Sequence, residues 1–216
     1  MRWGGQRQST NIEDRRGLGG RGIALGGGGL VTIILAAVVC LLGGDPRQLL
    51  EGQPQVQQQP PAAANTAAKP QDTNEQFVRN VMGTLEHAWR QMLPQQSRAR
   101  YQDPALVLFE GQTTSACGYG DAAMGPFYCP GDSKLYLDFA FFGELRREFK
   151  ADGDFAQAYV IAHEFGHHIQ NLTGMMGRVQ SQGQNNRLSV ALELQADCYA
   201  GIWANFAQRQ NRIEPG

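Results

Sequence analysis

The sequence predicts an α+β domain carried behind a single transmembrane helix and a disordered linker. Three observations predict it: an uncharged run from Gly22 to Gly44, a Gln-, Pro- and Ala-rich stretch after it, and then helical periodicity interleaved with two short strand-like runs. The chain has 216 residues, 42% of them apolar, and a formal net charge of -1. That is enough for one modest domain with appendages, and it lacks the basic excess that nucleic-acid binding requires.

The uncharged run, as a helix, would extend about 35 Å, against a hydrocarbon core of about 30 Å. A cleaved signal peptide would have a shorter apolar core and a small-residue cleavage site. Gly26 to Gly29 lower the run's helix propensity and are its least comfortable feature. Arg2, Arg7, Arg15, Arg16 and Arg21 precede the run, whereas Arg47 follows it. By that asymmetry residues 1–21 are expected to form a cytoplasmic leader, with the rest of the chain outside.

Residues 45–72 follow as a linker, and its stretch "EGQPQVQQQPPAAANTAAKPQD" offers almost no large apolar side chain. Such a segment cannot offset its ordering entropy by burial, so the folded domain is placed at residues 73–216. Phe77, Val81, Leu85, Ala88 and Met92 recur at helical spacing, with an end expected before Pro94. "ALVLFEG" (105–111) and "KLYLDF" (134–139) read as strands, the second as a half-buried one. Between them Cys117 and Cys129 flank a glycine-rich loop, and in an oxidising compartment they are expected to pair. Cys40 and Cys198 have no evident partner.

"DGDFAQAYVIAHEFGHHIQNLTG" predicts a helix of about five turns, capped by Asp152 or Asp154 and stopped at Gly174. On it His163 and His167 stand four apart, so their imidazoles point about 40° from one another and can close on one ion. Zinc takes neutral imidazole nitrogen in tetrahedral geometry, and two histidines leave room for a third ligand and a water. Glu164 is the carboxylate beside that water, suited to take its proton.

The third ligand is sought on the next helix, "NRLSVALELQADCYAGIWANFAQRQ" (186–210), where Glu193 and Asp197 also stand four apart. Two carboxylates on a largely apolar helix need a positive partner. Glu193 is assigned to the metal and Asp197 to holding the ring of a ligating histidine, with the reverse assignment also chemically allowed. His168 points about 140° away from His163 and should leave the metal face. His87 has no paired ligand nearby and reads as structural.

The stretches "MRWGGQRQSTNIEDRRG", "MGPFYCP", "DGDFAQAYVIAHEFGHHIQ" and "NRLSVALELQADCYAGIWA" together resemble the bacterial membrane-anchored neutral zinc metallopeptidase family. The resemblance implies a zincin-like domain: a small sheet packed on the helix that bears His163, Glu164 and His167, and a second helix that supplies Glu193. It also implies a single-pass anchor in a bacterial inner membrane with the domain in the periplasm, a Zn2+ cofactor and a peptide or protein substrate. Members of that family generally continue past the second helix, so the domain is expected to be shortened at its carboxyl end.

The function expected is a membrane-tethered zinc endopeptidase with Glu164 as general base; the alternative is a tethered zinc-binding or scaffolding module without catalysis. Tyr128 and Tyr136 are candidate oxyanion stabilisers by residue type alone. The strand near Lys134 to Phe139 is a candidate for pairing with an extended substrate.

Overall fold

A computed structural model describes residues 1–2, 7–17, 72–149, 153–183 and 185–213. The run at Gly22–Gly44, Cys40 with it, and all of the linker but its last residue lie outside the described residues. Among the described residues no helix is long and apolar enough to cross a membrane.

The sheet starts in the leader. β1 (Ile12–Asp14) runs parallel to β2 (Ala105–Phe109), with Ile12 opposite Leu106 and Asp14 opposite Leu108. Around it the described part of the leader is bound at several points. Ser9 and Asn11 donate to the buried carboxylate of Glu86, and Arg79 donates to the Ser9 carbonyl. The Arg16 guanidinium holds Asp14, Asp72 and Glu75. Met1–Arg16 and Asp72–Gly216 accordingly form one compact unit.

The leader expected at residues 1–21 thus contributes a strand to the sheet of the domain expected at residues 73–216.

α1 (Thr73–Gln96) is capped by Asp72, whose side chain accepts from the Glu75 N–H, so the final linker residue belongs to the domain. The helix runs three residues past its expected end, with Pro94 inside its last turn. After β2 come the hairpin of β3 (Gln112–Ser115) and β4 (Gly118–Asp121), a short 3-10 turn, β5 (Phe127–Cys129) and β6 (Lys134–Asp138). Then follow α2 (Ala140–Phe149), α3 (Asp154–Leu172), α4 (Met175–Ser181) and α5 (Asn186–Arg209).

The main sheet has the order β1-β2-β6-β5, with β5 antiparallel to β6. β6 is therefore an interior strand, buried along its length after Lys134, and not the half-buried strand that its alternation suggested. Leu106, Leu108, Leu135 and Leu137 point to the helices and join Val81, Leu85, Phe165 and Trp203 in one core. Val107, Phe109, Cys129 and Tyr136 form a smaller cluster on the opposite face, where Phe127 stacks on Tyr136 at 4.7 Å. A residue alternation with period two thus serves two apolar faces, as parallel strands covered on both sides require.

Candidate metal centre

α3 and α5 cross at a glycine. A Cβ on Gly166 would stand 2.9 Å from the Ala196 carbonyl oxygen and 3.1 Å from its Cα, so only glycine lets the two backbones approach this closely. That crossing sets His163 and His167 on α3 opposite Glu193 and Asp197 on α5. α3 itself starts at Gly153 without a side-chain cap, with Asp154 in its first turn, and not on the aspartate cap expected. Gly174, at φ 74°, follows its end as expected.

Glu193 Oε2 lies 3.2 Å from His163 Nε2 and 3.4 Å from His167 Nε2. One ligand atom from each of the three residues lies within 4.8 Å of the others. Zinc–nitrogen bonds of about 2.0 to 2.1 Å place neighbouring ligand atoms roughly 3.4 Å apart at the corners of a tetrahedron. The residues present therefore fit a tetrahedral ion with three protein ligands. The Glu193 side chain is 61% exposed, so the site opens to solvent on that side.

Each ring is held from behind. His163 Nδ1 lies 2.9 Å from Asp197 Oδ1, the carboxylate expected to orient a ligand ring. Since that carboxylate sits at Nδ1 while the Nε2 atoms turn to Glu193, the geometry favours Glu193 over Asp197 as the ligand. His167 Nδ1 lies 2.9 Å from Gln170 Oε1, a partner that the sequence reasoning missed. Its signal was present in the sequence, three residues on from His167 and on the same helical face.

Glu164 keeps some accessible surface, yet its carboxyl group is densely surrounded. Burial foremost, and then the charge of Glu193, push its pKa up to about 8, while the Tyr128 backbone N–H donates to it and pulls the other way. That N–H belongs to β5, the edge strand. The Cys117–Cys129 disulfide ties the β3–β4 turn to the end of the same strand. Cys198 is free and exposed.

The tyrosine hydroxyls proposed from sequence are engaged elsewhere. Tyr136 donates to Asp132 Oδ2 at 2.7 Å. Tyr128 OH lies 3.1 Å from His168 Nδ1, and His168 Nε2 lies 2.8 Å from the Gln102 carbonyl. The carbonyl can only accept, so His168 carries its proton on Nε2 and takes one from Tyr128 at Nδ1. His168 is thus a buried, satisfied residue off the metal face. His87 lies on the exposed side of α1 with Gln91 as its neighbour. A cavity of about 410 Å³ where the leader, α1 and α5 meet is lined by Arg7, His87, Phe206 and Arg212, and by none of the candidate ligands.

Two histidines and a glutamate from crossing helices, beside a small mixed sheet and a half-buried glutamate, make a candidate metal site on a mixed fold consistent with a zincin-like domain. The chain belongs to the family described as "Putative neutral zinc metallopeptidase", whose match spans residues 1–216, leader included. It is 42% identical over 230 residues to the uncharacterized protein YpfJ of Escherichia coli K12, across 100% of this chain and 79% of that protein. To the uncharacterized protein Mb2605 of Mycobacterium bovis it is 43% identical over 135 residues, across 62% of this chain and 44% of that protein. No solved structure matches.

Proposed function

We propose that the chain is a zinc-dependent endopeptidase with His163, His167 and Glu193 as metal ligands and Glu164 as general base. The observation that carries this reading is the convergence of both Nε2 atoms on one Glu193 oxygen, each ring backed at Nδ1 by an acceptor. When bound, zinc would supply a Lewis acid for the scissile carbonyl and lower the pKa of a water to about 7.

The residues supply the rest. Glu164, next to His163 in the chain, is the carboxylate suited to take a proton from a water and return it to the leaving amine. β5 replaces β6 as the strand against which an extended peptide would lie, because β6 is paired on both sides and β5 is the edge beside Glu164. The disulfide supports action in an oxidising, extracytoplasmic compartment.

The test is Glu164→Gln in the full chain, with zinc content measured beside hydrolysis of an unfolded protein. Zinc is expected to stay near one per chain while turnover falls at least about a hundredfold, the usual scale of a lost general base. Retained hydrolysis in that variant overturns the assignment of the base. A parent that holds zinc and hydrolyses nothing favours the non-catalytic module.

A further inference from the structure

We infer that Gln170 is a positioning residue that sets the tautomer of His167 and so keeps its Nε2 lone pair free for a metal. This rests on His167 being a ligand, and it adds a residue and a physical cause that the ligand geometry alone does not contain.

The argument starts from an atom that cannot be reassigned. Gln170 is fully buried on α3, and its Nε2 lies 2.7 Å from the Leu192 backbone carbonyl on α5. A carbonyl oxygen is an acceptor only, so the amide nitrogen must face it. An amide turned the other way would set two acceptors 2.7 Å apart in the protein interior, a buried repulsion with no compensating bond. The second N–H of the same nitrogen reaches Gln195 Oε1 at 3.1 Å. Both donors are spent on α5.

Gln170 Oε1 is then left to His167 Nδ1 at 2.9 Å. An amide oxygen can only accept, so Nδ1 must carry the proton, and in a neutral ring Nε2 carries a lone pair. It is this Nε2 that faces Glu193. The chain of necessity runs from a main-chain carbonyl, through one side-chain amide, to the nitrogen that would bind the ion.

The two ligand rings are held by unlike partners: His163 by the carboxylate of Asp197, and His167 by a neutral amide. Asp197 can accept a proton and is partly exposed. Gln170 cannot, so the tautomer of His167 is set by the packing of α3 on α5.

The experiment is nitrogen NMR of histidine-labelled full chain, metal-free and above pH 7, followed by zinc titration, in the parent and in Gln170→Met and Gln170→Glu. Methionine keeps the volume and removes the acceptor; glutamate, protonated on the oxygen that faces the Leu192 carbonyl, keeps both a donor to that carbonyl and an acceptor oxygen for His167. The parent ring of His167 is expected to be protonated at Nδ1. The Met variant should show both tautomers and a zinc affinity lower by roughly ten- to a hundredfold, the scale for loss of such a partner. The Glu variant should recover the Nδ1–H ring.

A parent ring protonated at Nε2 overturns the inference, as does a Met variant with an unchanged ring and unchanged zinc affinity. If Met fails to fold, the parent and Glu spectra carry the test. If the parent binds no zinc, the peptidase reading falls, while the metal-free spectra still judge Gln170.

Discussion

Gly166 of α3 lies against the backbone of Ala196 on α5, so close that a Cβ at 166 would meet the Ala196 carbonyl oxygen at 2.9 Å. Neither neighbour is a side-chain tip that can swing away. Gly166→Ala is therefore expected to push the helices apart, at a cost of about 1 to 3 kcal/mol typical of overpacking. The same shift separates Glu193 from the histidines, so zinc affinity should fall along with the urea midpoint. Unchanged zinc binding in a destabilised variant would show that the crossing holds the fold alone.

The leader is held on α1 by a second close glycine. A Cβ at Gly83 would overlap the Arg7 carbonyl oxygen, and the Ser9 N–H hydrogen-bonds the Arg79 carbonyl at 2.9 Å just beside it. Gly83→Val should release the leader and with it β1, leaving Glu86 without its Ser9 and Asn11 donors. Hydrogen exchange at Ile12 to Asp14 measures this directly: protection is expected in the parent and lost in the variant.

Strand pairing also bears on sidedness. In a chain with Cys40 replaced by serine, Cys198 and a cysteine introduced at the exposed Thr10 should react together with a membrane-impermeant maleimide, either both in intact spheroplasts or both only after lysis. Reaction of one before lysis and the other only after would support the single-crossing arrangement and dissolve the β1–β2 ladder.

Burial pushes the pKa of His168 down, against the opposing hydrogen bond of the Gln102 carbonyl. The sign follows from its place as a base with a folded value below its unfolded one. Stability is complete above the unfolded pKa of about 6.5 and is lost as pH falls through that value toward the folded one, because the unfolded chain binds the proton more readily. Urea midpoints of the metal-free protein should drop between about pH 7 and pH 5, and His168→Gln should flatten that slope. An equal slope in the variant would place the proton uptake elsewhere.

The Cys117–Cys129 bridge closes a loop of sequence separation 12. By loop entropy it should contribute about 3 kcal/mol. Replacing both cysteines by alanine is expected to lower the urea midpoint accordingly, and to do so without reductant dependence, which the parent should show.

Short-range physics made much of the site legible before any fold was known. His163 and His167 share a helical face by spacing alone, and Glu193 and Asp197 stand out because two acids on an apolar helix need a cation. What spacing could not supply was the contact between helices: Gln170 has meaning only once the Leu192 carbonyl lies across from it. Tyr128 and Tyr136 looked available because their partners, His168 and Asp132, are fixed by strand placement. The leader was the largest surprise. Its arginines read as a topological signal, and the structure adds that Arg16 pairs with Asp14, Asp72 and Glu75. Periodicity and residue chemistry are local, and the sequence by itself determined three of the five helices described, the candidate ligand types and their order along the chain. Which strand lies at the edge, which carbonyl faces which amide, and that the first sixteen residues complete the sheet depend on contacts far apart in the chain, and only the tertiary structure decided them.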